Sequence, residues 1–195
     1  TFTGSGSDRF DAFGGSSHAF PEEIYTVVEL RDGDSCRWSW TVPFVEEHVE
    51  TRQMCTRSSS VSNPKLERMT IFLGREQVSR YECGARAWRL PPGNQTTEWA
   101  WRCTEDRGGR GSYTATLEGV EDVELGDGST VSTKRVRIEG RQRDDRATSR
   151  ETTRLWMLAN GMPARFASDR SASVDTPVGT IDTAETWDYR LASMP

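Results

Sequence analysis

Residues 81–103 read YECGARAWRL-PPGN-QTTEWAWRC, two strand-like runs on either side of a turn centred at Gly93. Cys83 and Cys103 each lie ten residues from that glycine, so folding the chain back about it sets the two cysteines opposite each other. The same register sets Ala85 opposite Trp101 and Ala87 opposite Trp99, two small side chains facing two indoles on one side of a hairpin. This is the pattern of a disulfide-stapled β-hairpin.

An earlier stretch repeats the plan. Cys36 and Cys55 are 19 residues apart, against 20 for the later pair, and their midpoint falls between Val45 and Glu46. Cys36, Trp38, Trp40 and Val42 share one parity and Arg37, Ser39 and Thr41 the other, the period of a half-buried strand. A symmetric fold-back pairs Trp38 with Gln53, Trp40 with Thr51 and Val42 with Val49. The alternative is a helix that starts at Pro43 and carries Glu46 and Glu47 in its first turn. Its apolar stripe, Val45, Val49 and Met54, is thin, and the Ser-rich stretch after Cys55 is poor helix material.

At 195 residues the chain suits one domain, able to bury roughly 70% of its unfolded surface. A hydrophobic content of 34% with 17 glycines points to a turn-rich all-β chain in which the seven tryptophans supply much of the buried area. Lys65 and Lys134 are the only lysines, the remaining basic residues being arginine. The formal charge of −5 argues against a nucleic-acid partner, which requires a concentrated basic surface. The four cysteines form no Cys-x-x-Cys motif, which disfavours a zinc ribbon or thioredoxin-type site. Among three connectivities the matched spacing favours Cys36–Cys55 and Cys83–Cys103. Such bonds belong to oxidising locations, so the expected localisation is extracytoplasmic: secreted, periplasmic or cell-surface. The chain starts at Thr1 and contains no secretory leader or membrane-spanning apolar run, as expected of a mature segment whose targeting peptide has been removed.

In chain order, residues 1–20 read as a flexible N-terminal segment, Gly/Ser-rich at its start, with at least one of Phe10, Phe13 and Phe20 pinned to the body. Residues 21–195 read as a single all-β domain. Strands are expected at Glu23–Leu30, through both stapled hairpins and Arg68–Leu73, and over most of the second half. Turns are marked by Arg31–Asp34, Gly126–Ser129 and Asn160–Pro163, and Thr56–Pro64 reads as a polar loop. About a dozen strands on short connections make a single antiparallel meander, which at that size curls into a half-barrel or barrel; a β-sandwich is the alternative.

The second half adds a resemblance. The run from Val123 to Thr130, Lys134 to Arg137, Thr153 to Arg165 with its Leu-Trp strand and Gly-x-Pro turn, and then Val178 to Ile181 and Trp187 to Tyr189, is similar in order and spacing to uncharacterised bacterial envelope proteins. Those resemble the lipoprotein-carrier class of curved β half-barrels. The similarity covers mainly residues 114–191 and carries no catalytic residues. It implies an extracytoplasmic β-protein with a concave apolar surface for a lipid or other hydrophobic ligand.

His18 and His48 lack the spacing of a metal or general-base site, and no nucleophile elbow, phosphate loop or dinucleotide fingerprint is present. Neither a metal, a cofactor nor a catalytic residue is expected. Trp38, Trp40, Trp99 and Trp101, on the cysteine-bearing faces of the two hairpins, are the candidate ligand-binding residues, with large core filler as the competing role. The expectation is therefore a non-enzymatic binding or carrier domain with a Trp-lined concave face. The alternative is a structural or protein-interaction domain of the envelope whose core is filled.

Overall fold

The computed structural model describes residues 1–11, 15–30, 36–57, 60–72, 75–83, 88–89, 96–177 and 179–194. They form fifteen strands: β1 (Phe2–Phe10), β2 (Ser16–Ala19), β3 (Glu23–Ile24), β4 (Val27–Leu30), β5 (Arg37–Val45), β6 (His48–Arg57), β7 (Ser60–Phe72), β8 (Arg75–Cys83), β9 (Trp88–Arg89), β10 (Thr97–Glu105), β11 (Arg110–Glu124), β12 (Thr130–Arg143), β13 (Ala147–Met157), β14 (Pro163–Thr176) and β15 (Gly179–Leu191). All belong to one antiparallel sheet of order β2-β1-β15-β14-β13-β12-β11-β10-β8-β7-β6-β5-β4, with β3 pairing with β1 and β9 with β7. From β4 to β15 the order follows the chain, which is the expected meander. β1 departs from it by adding beyond β15, with β2 and β3 on its outer side.

So wide a sheet, twisted as all sheets are, brings its ends together. Phe2 on β1 lies 6.4 Å from Trp40 on β5, Trp40 lies 5.1 Å from Phe166 on β14, and Phe44 on β5 lies 4.6 Å from Trp187 on β15, all between ring centroids. The curl is not closed by a ladder. Instead the N-terminal segment crosses the seam, its first part pairing with β1 and β4 pairing with β5. Phe20 packs on Phe44 at 5.8 Å, and the Tyr189 hydroxyl donates to the Pro21 carbonyl at 2.6 Å. Phe20 is thus the phenylalanine that pins this segment; Phe13 lies outside the described residues.

The start of the chain, expected to be flexible, is instead strand β1, in register with β15 from Phe2↔Leu191 to Phe10↔Thr183. Its glycines have a packing role. Gly4 and Gly6 sit opposite Tyr189 and Trp187, and a Cβ at Gly4 would run into the Asp188 carbonyl oxygen and one at Gly6 into the Phe20 ring, so the small residues let β1 lie close against the β15 backbone with Phe20 packed on it. The polar loop expected over residues 56–64 is likewise strand for most of its length, with a register shift against β6 beside Asn63 and Pro64. Proline cannot donate to a ladder, and a bulge is where a strand accommodates it. β11 and β12 form one long hairpin, bent at Leu117/Gly119, where Gly119 adopts φ +139°.

Both disulfides form as the spacing indicates, Cys36–Cys55 and Cys83–Cys103. In the second hairpin Cys83 faces Cys103, as the fold-back about Gly93 requires. Gly93, Ala85, Ala87 and the Arg31–Asp34 turn lie outside the described residues. The first hairpin is strand throughout and not helix, but its register differs from expectation by one residue: Trp38 pairs with Met54, Trp40 with Arg52 and Val42 with Glu50. The cause is a two-residue turn at Glu46 and Glu47 combined with a register shift at Pro43/Val45, so the symmetric midpoint does not apply. A one-residue slip exchanges the faces of a strand. His48, Glu50, Arg52 and Met54 therefore point into the curl, and Val49, Thr51 and Gln53 outward.

Candidate functional site

The alternation along β5 places Trp38 and Trp40 inward with Val42 and Phe44, and both indoles are core residues, Trp40 being 3% exposed. Trp40 packs edge-on to Phe166, while the Trp38 indole nitrogen donates to the Thr56 hydroxyl at 3.1 Å. On β10, Trp99 and Trp101 are half-buried against the same core, and Trp101 stacks on Tyr113 at 5.5 Å with planes 10° apart. Both hairpins thus direct their tryptophans inward, yet among the described residues no ring contact joins one pair to the other. On the other face of the sheet the Arg165 guanidinium lies 4.4 Å above the Trp156 ring.

Next to this aromatic core lies a buried charge network. Arg68 on β7 donates to Glu50 on β6 at 2.6 Å and to Glu151 on β13 at 3.1 Å, tying together strands far apart in the sheet. Arg52 donates to Glu50 at 3.0 Å. The two nitrogens of His48 lie 3.6 Å from Glu50 and from Glu185 on β15, and Arg170 on β14 faces Glu185 at 3.4 Å. Three guanidiniums thus meet three carboxylates around one imidazole. A neutral set borders them: Gln142 donates to the Tyr113 hydroxyl and accepts from Tyr81 at 3.0 Å and from Ser149 at 3.3 Å, and the Thr153 and Ser168 hydroxyls pair at 2.9 Å.

Burial and pairing act in opposite directions on Glu50 and Arg68. Burial would by itself raise the Glu50 carboxyl, but Arg68 and Arg52 outweigh it and hold that carboxyl well below the usual carboxylate range. Burial would lower the Arg68 guanidinium, and Glu50 and Glu151 hold it well above its ordinary value. Burial raises the Tyr81 and Tyr113 phenols. A carboxylate held ionised between guanidiniums is a weak base, and Glu50 and Arg68 are each 3% exposed on the side chain, so substrate has no route to them. What the network does is join β6 and β7 to β13, β14 and β15 through the middle of the curl.

The network was not singled out in the sequence, although its phase is legible there. Glu151 shares parity with Leu155 and Met157, Arg170 with Phe166, and Glu185 with Trp187 and Tyr189, so each charge sits on the core face of its strand.

Two further features lie at the surface. A cleft of ≈ 240 Å³ at one end of the curl is floored by Val61 and Met157 and rimmed by Thr56, Val120, Lys134 and Leu158. The terminal strand β4 pairs with β5 alone, and among the described residues its other edge is free. It is apolar and exposed: Val27 51%, Val28 42% and Leu30 82%, with Tyr25 just before it at 65%. The opposite terminal strand, β2, carries Ser16, Ser17 and His18, the last held by Asp8 at 2.9 Å. Among the described residues no group of three or more His, Cys, Asp or Glu is placed to hold a metal ion, and no helix is long and apolar enough to cross a membrane. No family model, curated protein or solved structure matches this chain.

Proposed function

We propose that the chain is a non-enzymatic, extracytoplasmic protein-interaction domain of the cell envelope, with a filled interior and an edge strand that receives its partner. The observation that carries this reading is β4, an unpaired edge with β-branched and leucine side chains open to solvent. Natural sheets normally guard such an edge with lysine, proline or a bulge, because its free N–H and C=O groups template another strand. Here the only charge is Glu29, which accepts from the Ser39 hydroxyl at 3.4 Å. The occupant is an extended segment of another envelope protein, with apolar residues at alternate positions and basic residues between them. Charge selects it over a second copy, since each copy carries −5.

The interior supports the same reading. The faces turned into the curl are occupied by the aromatic core and the paired charge network. A carrier for a lipid or other hydrophobic molecule would have to use the apolar cleft of ≈ 240 Å³, below the roughly 300–1,000 Å³ of ordinary ligand sites. The two disulfides fit an oxidising compartment.

The test places a photo-crosslinking residue at Leu30 in the producing cell, with a second at Glu98 on the outer face of β10 as control. A single heterologous adduct from position 30 that is absent from position 98, and abolished by Val28→Lys, is the expected result. A product of twice the chain mass, or no adduct, overturns the reading. Native mass spectrometry of envelope-purified protein should give a bare mass; a recurring extractable hydrophobic molecule would restore the carrier.

A further inference from the structure

Several arginines on the outer face of the sheet are paired with carboxylates. Arg135 meets Glu118 and Glu121, Arg137 meets Glu118 and Glu139, Arg165 meets Asp188, and Arg80 meets Glu67. At one end of β11–β14 this stops. Arg110, Arg141, Arg143 and Arg150 are exposed and make no ion pair among the described residues, and the register sets Arg110 directly opposite Arg143 and Arg141 directly opposite Arg150. Like charges facing across a ladder are destabilising. Of the neighbouring carboxylates, Asp144 accepts from the backbone N–H groups of Arg146 and Ala147, Asp182 accepts from Ser173, and Glu139 from Arg137, while Asp145 stands exposed in the β12–β13 turn.

A groove of ≈ 550 Å³ runs over β13, lined by Arg141, Arg143 and Arg150 together with the hydroxyl residues Thr148, Ser171 and Ser173. We propose that this groove is a binding site for a phosphomonoester-type dianion. Guanidinium forks match the oxygens of a tetrahedral dianion with two parallel hydrogen bonds each, the Thr148 and Ser171 hydroxyls complete the shell, and two negative charges offset an array that a single carboxylate would leave largely unneutralised. The array spans three strands, roughly 10 Å at the ordinary interstrand spacing, which is room for one phosphoryl group and the start of its ester substituent. A long polyanion is the wrong ligand, because the rest of a chain of net charge −5 repels it. The phosphoryl group can belong to a soluble ester or to a lipid headgroup. The groove lies away from β4, so it stands or falls independently of the partner proposed for that edge.

The experiment uses the full oxidised chain. Inorganic phosphate and glucose 6-phosphate are titrated by calorimetry at constant ionic strength, and phosphatidylcholine vesicles with and without phosphatidic acid are tested by flotation. The expected result is saturable binding of at least one phosphoryl probe that the Arg143→Gln/Arg150→Gln variant weakens by about tenfold or more. In phosphate-free buffer the same variant should melt at a higher temperature than the parent, because the like-charge contacts are gone. Binding of the soluble probes identifies a free ester as the source, whereas binding confined to phosphatidic acid vesicles identifies the headgroup. No binding to any probe, or binding that the double variant leaves unchanged, overturns the site.

Discussion

The two stapled hairpins have almost the same loop length and the same inward tryptophan pair, and they differ by one residue of register. In β8–β10 the cysteines face each other directly, and the core face continues as Trp101 and Trp99. In β5–β6 the register is displaced by one, Arg37 rather than Cys36 pairing with Cys55, and the face opposite the tryptophans becomes His48, Glu50, Arg52 and Met54. One hairpin therefore contributes rings to the interior, whereas the other contributes rings on one strand and charges on the next. The one-residue shift at Pro43/Val45 decides that β6 turns its charged face, and not Val49, Thr51 and Gln53, into the curl.

The largest expected effect comes from breaking the ionic side. Arg68→Met leaves Glu50 and Glu151 buried without their shared counter-ion. It should cost about 3–5 kcal/mol in chemical denaturation, and a loss under about 1 kcal/mol would mean that the interior is wet enough to solvate the carboxylates. The staples come next. The closed loops of 19 and 20 residues are nearly equal, so Cys36→Ser/Cys55→Ser and Cys83→Ser/Cys103→Ser should each cost about 3 kcal/mol in the chain-entropy model. A clear inequality between them would locate extra native-state stabilisation in one hairpin. Thiol titration of the untouched protein should find no free cysteine.

Acid should act on the first hairpin before the second. Because the Glu50 carboxyl is held below its ordinary value, the folded chain binds fewer protons than the unfolded one in that range. The stabilisation is complete above the unfolded value of about 4.3 and is lost as pH falls from there toward the folded value. Stability against pH should therefore fall less steeply below about pH 4.3 in Glu50→Gln than in the parent, although the variant is weaker at neutral pH. An unchanged slope would remove Glu50 as the acid-sensitive group. The smallest effect sharpens the register itself. Thr51 faces outward, its hydroxyl 3.0 Å from that of Thr41, so Thr51→Lys should change stability by about 0.5 kcal/mol or less, whereas a lysine facing Trp40 would be severely destabilising.

Much of the architecture was legible in local pattern. The alternation of Trp38, Trp40 and Val42, and of Ile181, Trp187 and Tyr189, announces core faces that the structure keeps. The Gly126–Ser129 turn joins β11 to β12 where the glycines stand. What stayed hidden was non-local. Gly4 and Gly6 look like a linker until β15, from the other end of the chain, pairs against them. His48, Glu50 and Arg52 look like a solvated face because their partners, Arg68, Glu151 and Glu185, are remote in sequence. Arg141 and Arg150 look like scattered surface charges until a ladder sets them side by side.

The sequence by itself determined an all-β meander and both disulfides, because alternation, turn residues and cysteine spacing are local properties that survive without a partner strand. Which face of β6 points inward was decided only by the tertiary structure. So were the identity of the buried ion pairs, the exposed edge at β4 and the arginine-lined groove. A side-chain period of two makes every face hang on one residue of register, and that register is set by how distant strands meet.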